Sequence, residues 1–162
     1  MKLRKLELQD APLMLEWMHD ESVVAKLAAN FAAKTIDDCR NFIAASQEDA
    51  DNLHLAVADE DDTYMGTVSL KHIDRTAGTA EFAITVRASA MGKGFARFGM
   101  DSILKMGIHK VGLSAIYWCV SPANERAVRF YDKNGYTRTA DVPTGILSAY
   151  PADMPLFWYI YK

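Results

Sequence analysis

The sequence predicts a mixed α/β sheet in a single domain, and three observations carry that expectation. Strand alternation and helical periodicity follow one another in the order strand, two helices, three strands, helix, strand, helix, strand, strand. One of the strands, "LSAIYWCV", is apolar almost throughout, as a strand covered on both faces must be. The length of 162 residues, with 50% apolar and 24% charged, suits one domain with a sizeable core, here residues 1–162.

Each element follows from local chemistry. "LRKLELQD" alternates apolar and charged residues as a half-buried strand does. Asp10 is placed to cap a helix with Pro12 in its first turn, and Leu13, Leu15, Trp17 and Met18 supply its apolar surface. A second helix is expected over Ile36 to Gln47, with Thr35 as its cap. "NLHLAVADEDDTYMGTVSLKHID" reads as two strands joined by an acidic turn at Asp59–Asp62. "GTAEFAITVR" is a strand with Phe82, Ile84 and Val86 on one face and Glu81, Ala83 and Thr85 on the other.

The next helix should run to about His109. Ala96, Met100, Ile103, Leu104 and Gly107 form its inner stripe, and Arg97, Asp101, Lys105 and His109 its wet one. After the apolar strand, "SPANERAVRFYDKNGY" predicts a helix of about ten residues, capped by Ser121 or Asn124 and stopped by Asn134-Gly135. Two last strands are expected around Tyr136–Asp141 and Leu156–Tyr161.

Composition narrows the function. A net charge of -3 and a pI near 5.8 give no electrostatic footprint for nucleic acid. No apolar run approaches the roughly 20 residues that span a bilayer, so no membrane partner is expected. "MKLRKLELQD" does not read as a signal peptide. Cys39 and Cys119 lack metal-ligand spacing, so no metal is expected; both read as reduced thiols of a cytoplasmic protein.

The chemistry gathers at "AMGKGFARFGM", Ala90 to Met100, a glycine cluster between a strand and a helix, where amides and the helix dipole can meet an anion. A Walker A loop requires four residues between its first glycine and Gly-Lys, then Ser or Thr for magnesium; here Gly94 follows Lys93. The dinucleotide fingerprint requires a third glycine where Arg97 stands. Two readings stay open: a pyrophosphate cradle of the acyl-CoA type, in which Gly92 and Gly94 let the backbone approach, and an ordinary tight turn before a helix.

With "SPANERAVRFYDKNGY" added, the sequence resembles the GCN5-related N-acetyltransferase (GNAT) superfamily. The family pattern of Arg or Gln, two residues, Gly, one residue, Gly or Ala falls on Met91, Gly94 and Ala96. Its Asn-x-x-Ala-x-x-x-Tyr-x-x-x-Gly-Phe/Tyr segment falls on Asn124, Ala127, Tyr131, Gly135 and Tyr136. The element order agrees too, so the resemblance covers essentially the whole chain. It departs at Met91, where the family usually carries Arg or Gln.

The resemblance implies an acyl-CoA N-acyltransferase fold: a central mixed, mostly antiparallel twisted sheet with helices on both faces. It implies acetyl-CoA as co-substrate, lying in a gap between two parallel strands. Ile84, Thr85 and Val86 would pair with the pantetheine amides, and an amide near Thr85 or Val86 would bind the thioester oxygen. The pyrophosphate would rest on the amides of Met91, Gly92, Lys93, Gly94, Phe95 and Ala96. Lys93 and Arg97 either add positive charge there or are solvated surface charges. Asn124, Ala127 and Phe130 complete the cofactor-binding set.

Tyr131 matches the family's tyrosine that protonates the leaving thiolate, although it also shares an inward stripe with Ala127 and Val128, where a core tyrosine would sit. Glu81 is placed to accept the proton of an incoming ammonium, or else is an exposed or structurally paired strand carboxylate. His54, His72 and His109 rank below it as bases. The acceptor, a small-molecule or peptide amine, would lie around Trp17–Ser22, Phe31 and Thr144–Pro151, with Glu16, Asp20 and Glu21 favouring a cation. The alternative to an N-acetyltransferase is a non-catalytic acyl-CoA sensor; Tyr131 favours the enzyme and Met91 leans the other way. Dimers are common in such folds, so a homodimer is an expectation as well.

Overall fold

The computed structural model describes residues 1–27 and 29–162. Seven strands form one sheet: β1 (Lys2–Lys5), β2 (Leu53–Ala58), β3 (Tyr64–Asp74), β4 (Thr79–Val86), β5 (Ala115–Val120), β6 (Thr137–Arg138) and β7 (Phe157–Tyr161). Their spatial order is β1-β2-β3-β4-β5-β7-β6. Only β4 and β5 run parallel; the other pairs are antiparallel. The helices are α1 (Ala11–Met18), α2 (Glu21–Val24), α3 (Ile36–Ser46), α4 (Phe95–Met106), α5 (Glu125–Lys133) and α6 (Thr144–Leu147). This is the mixed α/β sheet the sequence predicts, mostly antiparallel as the resemblance implies.

Helices cover both faces. On one, Met100, Ile103 and Leu104 of α4 and Tyr131 of α5 bury against Leu55, Val57, Val68, Leu70, Phe82 and Trp118. On the other, Met14, Trp17 and Met18 of α1 and Cys39 and Ile43 of α3 pack on Ala56 and Tyr64, while Ile146 of α6 joins Tyr117 and Trp158. Burying one such large side chain contributes about 1.5–3 kcal/mol. Helix α4 lies very close to the sheet: a Cβ on Gly99 would meet Val57 Cγ2 at 2.7 Å and Val68 Cγ1 at 2.9 Å. Phe95 and Gly99 thus complete the inner stripe, and Ala96 stands at its margin.

The local signals hold where the partner is also local. Thr35 caps α3, accepting from the Asp38 amide at 3.2 Å, and Asn124 rather than Ser121 caps α5, accepting from the Ala127 amide at 3.3 Å. Asp10 stands at the start of α1 but makes no cap there. Its carboxylate instead takes Arg4 Nη1 at 2.8 Å, Arg4 Nη2 at 2.9 Å and the Glu7 amide at 2.9 Å. A charged bidentate partner outcompetes an amide of its own helix. The helix expected to reach His109 passes into one wide π turn over Gly107–Val111. The penultimate strand is only two residues long, and α2 and α6 are additions.

Candidate active site

The site opens where the two parallel strands part. Strands β4 and β5 pair at Thr79↔Ala115, Ala80↔Ile116 and Glu81↔Tyr117, and there the pairing ends. Beyond it, β4 continues to Val86, held only by β3 through Thr67↔Thr85 and Gly66↔Val86. The edge of Ile84, Thr85 and Val86 that would face β5 therefore has no strand partner among the described residues. A ladder that stops mid-sheet leaves backbone donors and acceptors free for an extended ligand.

At the end of β4 the chain makes a short 3-10 turn at Ala88–Ala90 and enters the glycine loop. Gly92 (φ 75°) and Gly94 (φ 89°) take left-handed conformations, Gly94 as the N-cap of α4. Side chains rarely tolerate that region, which is why glycines stand here. The amides of Met91 and Lys93 donate within the loop, to Ala88 O at 3.2 Å and Ala90 O at 3.4 Å. Those of Gly92, Gly94, Phe95, Ala96 and Arg97 find no backbone acceptor among the described residues, as expected for a helix N-terminus. The space above them is open: a Cβ on Gly92 would meet nothing within 4 Å, and one on Gly94 only Met1 Cε at 3.6 Å. Of the amides the sequence predicts, those of Gly92, Gly94, Phe95 and Ala96 are free and those of Met91 and Lys93 are not, while the Arg97 amide joins the free set on the helix side.

Met91 fills its departure from the family pattern with packing, since its half-buried side chain touches both layers of the core. Lys93 is exposed. Arg97 joins the two helices of the site, donating to Asn134 Oδ1 at 2.7 Å beyond the end of α5, with Asp101 at 3.6 Å. On α5, Ala127 and Phe130 are half-buried against the same core, and Asn124 is held by its capping bond.

Tyr131 lies in an aromatic cluster, with ring centroids 5.1 Å from Tyr159, 5.6 Å from Phe130 and 5.7 Å from Trp118. Burial pushes its phenol pKa well up, with smaller contributions from Tyr159 and Cys119, so the hydroxyl stays protonated. It makes no hydrogen bond to a described residue. Nor is it sealed in: among the described residues, only Trp118 Nε1 is a fully enclosed side-chain nitrogen or oxygen without a partner.

Glu81 is 3% exposed, which rules out the exposed strand carboxylate. The Tyr150 hydroxyl donates to its Oε1, and Lys71 Nζ lies 3.6 Å from the same atom. Lys71 is its register partner on β3. Oε2 accepts no hydrogen bond from a described residue, and by the same reasoning it is not enclosed. Tyr131 and Glu81 approach the parting strands from opposite faces, and Cys119 of β5 packs in the cluster that holds Tyr150. Burial raises the Cys119 thiol pKa, an interaction with the Tyr150 hydroxyl offsets part of that rise, and Glu81 adds to it.

The histidines stand aside. His54 binds Ser69 Oγ at 2.6 Å under the Phe42 ring, and burial lowers its pKa; His72 and His109 are exposed. In the expected acceptor region, Trp17 donates to Tyr64 at 3.0 Å and meets Phe31 edge-on at 5.1 Å. Two of its three acids are committed: Glu16 to Arg87 at 2.9 Å, and Asp20 to capping α2. Glu21 is exposed. The segment Thr144–Pro151 reaches Glu81 through Tyr150, a residue that sequence reasoning did not single out. Lys71 could have been found from the hairpin register; Tyr150, in an irregular stretch, carries no periodic signal.

A family model described as acetyltransferase (GNAT) domain matches residues 1–137. The chain is 26% identical over 155 residues to an uncharacterized N-acetyltransferase p20 of Bacillus licheniformis, covering 90% of this chain and 86% of that protein. Its fold resembles the spermidine N-acetyltransferase of Vibrio cholerae crystallised with CoA and spermine, with a TM-score of 0.80, 20% identity, and 99% and 94% of the two chains covered. A dodecameric structure of the same Vibrio enzyme gives a TM-score of 0.73 at 20% identity, over 99% and 92% of the chains.

Proposed function

This chain belongs to the GNAT acetyltransferase domain family and is an acetyl-CoA-dependent acetyltransferase, and we propose that it acetylates a primary amine by direct attack in a ternary complex. The observation that carries this reading is one gap with complementary ends. Free amides of the glycine loop open one end, and two unsealed, unpartnered polar atoms, Tyr131 Oη and Glu81 Oε2, flank the other. The residues present fit acetyl-CoA: an open anion cradle, an unpaired strand edge for the pantetheine amides, and a protonated phenol.

Acetyl-CoA supplies an acyl group activated as a thioester. The amides of Gly92 and Gly94 to Arg97 hold its diphosphate, and the free edge of Ile84–Val86 sets the thioester in register. An amide of that edge stabilises the oxygen that becomes negative as the amine nitrogen attacks. Glu81 Oε2 takes a proton from the incoming ammonium, so the nitrogen arrives with a lone pair. As the carbon–sulfur bond breaks, Tyr131 donates its proton to the departing thiolate. Reference phenol and thiol pKa values are about 10 and 8.5. Burial lifts the Tyr131 phenol above its own, so the proton is still in place when the thiolate departs, and the same dry surroundings raise the basicity of the thiolate that receives it.

The acceptor we propose is a small amine, an amino acid or a peptide N-terminus. The likeness to an acetyltransferase crystallised with spermine adds polyamines to the candidates. We also propose a cytoplasmic setting, which suits the free thiols Cys39 and Cys119, and a self-associating chain, on the likeness to an assembled neighbour. The deciding experiment measures coenzyme A release with purified protein, acetyl-CoA and a panel of polyamines, amino acids and short peptides. Release above the no-acceptor rate with one class supports the reading and names the acceptor. A flat panel with demonstrable coenzyme A binding would favour the sensor.

A further inference from the structure

Tyr150 follows α6 in an irregular stretch, yet its hydroxyl reaches across the sheet face to Glu81 Oε1. Its ring is braced edge-on by Trp158 of β7 at 5.2 Å. Burial, and then the bond to Glu81, push the phenol pKa far up, so this hydroxyl is a permanent donor. The Lys71 ammonium, 3.6 Å from the same oxygen, stops short of a hydrogen bond. Both partners are thus gathered on Oε1, and Oε2 is left unpartnered and unsealed.

We infer that Tyr150 is a positioning residue for the acetyl transfer: it pins Glu81 by Oε1 so that Oε2 faces the acceptor amine. This rests on the reading of Glu81 as the base. When the amine binds, an N–H bond of the ammonium breaks as an O–H bond forms on Oε2, and the freed lone pair attacks the thioester carbon. Without the Tyr150 hydroxyl, the carboxylate is free to close the remaining gap to Lys71. A direct ion pair would then occupy the group that has to accept the proton. The segment after α6 therefore does more than line the acceptor side; it sets the orientation of the base beneath it.

The test compares the parent, Glu81→Gln, Tyr150→Phe and the double variant, using the best acceptor from the amine panel. Tyr150→Phe keeps the ring and removes one hydroxyl, so its melting temperature should stay close to the parent's. It should lower kcat about tenfold or more, the scale of a hydrogen bond to a charged group, with the KM for acetyl-CoA unchanged. In the Glu81→Gln background it should add little, because the residue it acts through is already gone. Parent-like activity of Tyr150→Phe, or an equal loss with and without Glu81, overturns the inference while leaving the transferase reading intact. If Glu81→Gln matches the parent, the assignment of the base falls and this inference with it. If the parent turns over no amine, the transferase reading itself falls.

Discussion

Tyr131 and Glu81 share a combination of properties that polar groups in folded proteins rarely keep. Each is more than nine-tenths buried, and each presents an oxygen that no described residue satisfies and that is not walled in. A buried polar atom without a partner is costly, and the cost is removed if substrate supplies the partner. On this argument Tyr131→Phe should cut kcat by about 10²–10⁴-fold, the usual range for a positioned acid. Calorimetric affinity for coenzyme A should barely move, because the aromatic packing survives; an unchanged kcat would return Tyr131 to the core. For Glu81→Gln the dependence on pH is the informative reading. An acceptor amine with a pKa of about 10 is almost wholly ammonium at pH 7. The variant should therefore lose kcat/KM at neutral pH and recover part of it as pH rises and free amine accumulates. A profile that superimposes on the parent's would pass the role to another group.

At the scale of elements, the turn between β4 and α4 is the proposed anion cradle, and its two glycines, both in left-handed conformations, are the part that tolerates exchange least. Gly94→Val would force a β-branched residue into φ 89° and place methyl groups in the open space above the amides. Titration calorimetry with coenzyme A should show at least a tenfold weaker complex; an unchanged affinity would mean that the cradle lies elsewhere. This turn was legible because everything that specifies it is local: a strand, two glycines and a helical stripe. The Thr35 and Asn124 caps were legible for the same reason, and so was the face of Glu81, which strand alternation fixes. Asp10 was misread because its competitor, Arg4, belongs to a neighbouring strand that cap rules do not include. Helix α6 escaped because "TGIL" is a poor helix on its own propensities, and forms around Ile146 buried against Tyr117 and Trp158. The same tertiary docking brings Tyr150 to Glu81, a contact that no local pattern announces.

For the molecule as a whole, the sheet separates the two proposed catalytic groups: α4 and α5 sit on one face with Tyr131, and α1–α3 and α6 sit on the other with Glu81. The two meet only where β4 and β5 part, so a ligand threaded through the gap would replace a missing stretch of sheet. Ligand that binds only the folded chain stabilises it by about 2.7 kcal/mol at a hundredfold excess over Kd. For a domain of this size each kcal/mol moves Tm by about 2–4 °C. Coenzyme A at that excess should therefore raise Tm by about 5–10 °C, without any acceptor present. Gly99→Val supplies the comparison, since its added atoms would press on Val57 and Val68 beneath α4, away from the cradle. Such overpacking costs about 1–3 kcal/mol, so this variant should melt lower than the parent and yet gain the same increment from coenzyme A. Gly94→Val should show the converse: a baseline Tm lowered only by its local strain, and an increment largely lost. If coenzyme A raised the Tm of Gly94→Val as much as the parent's, or failed to raise the parent's at all, the cofactor would not be held by the glycine loop.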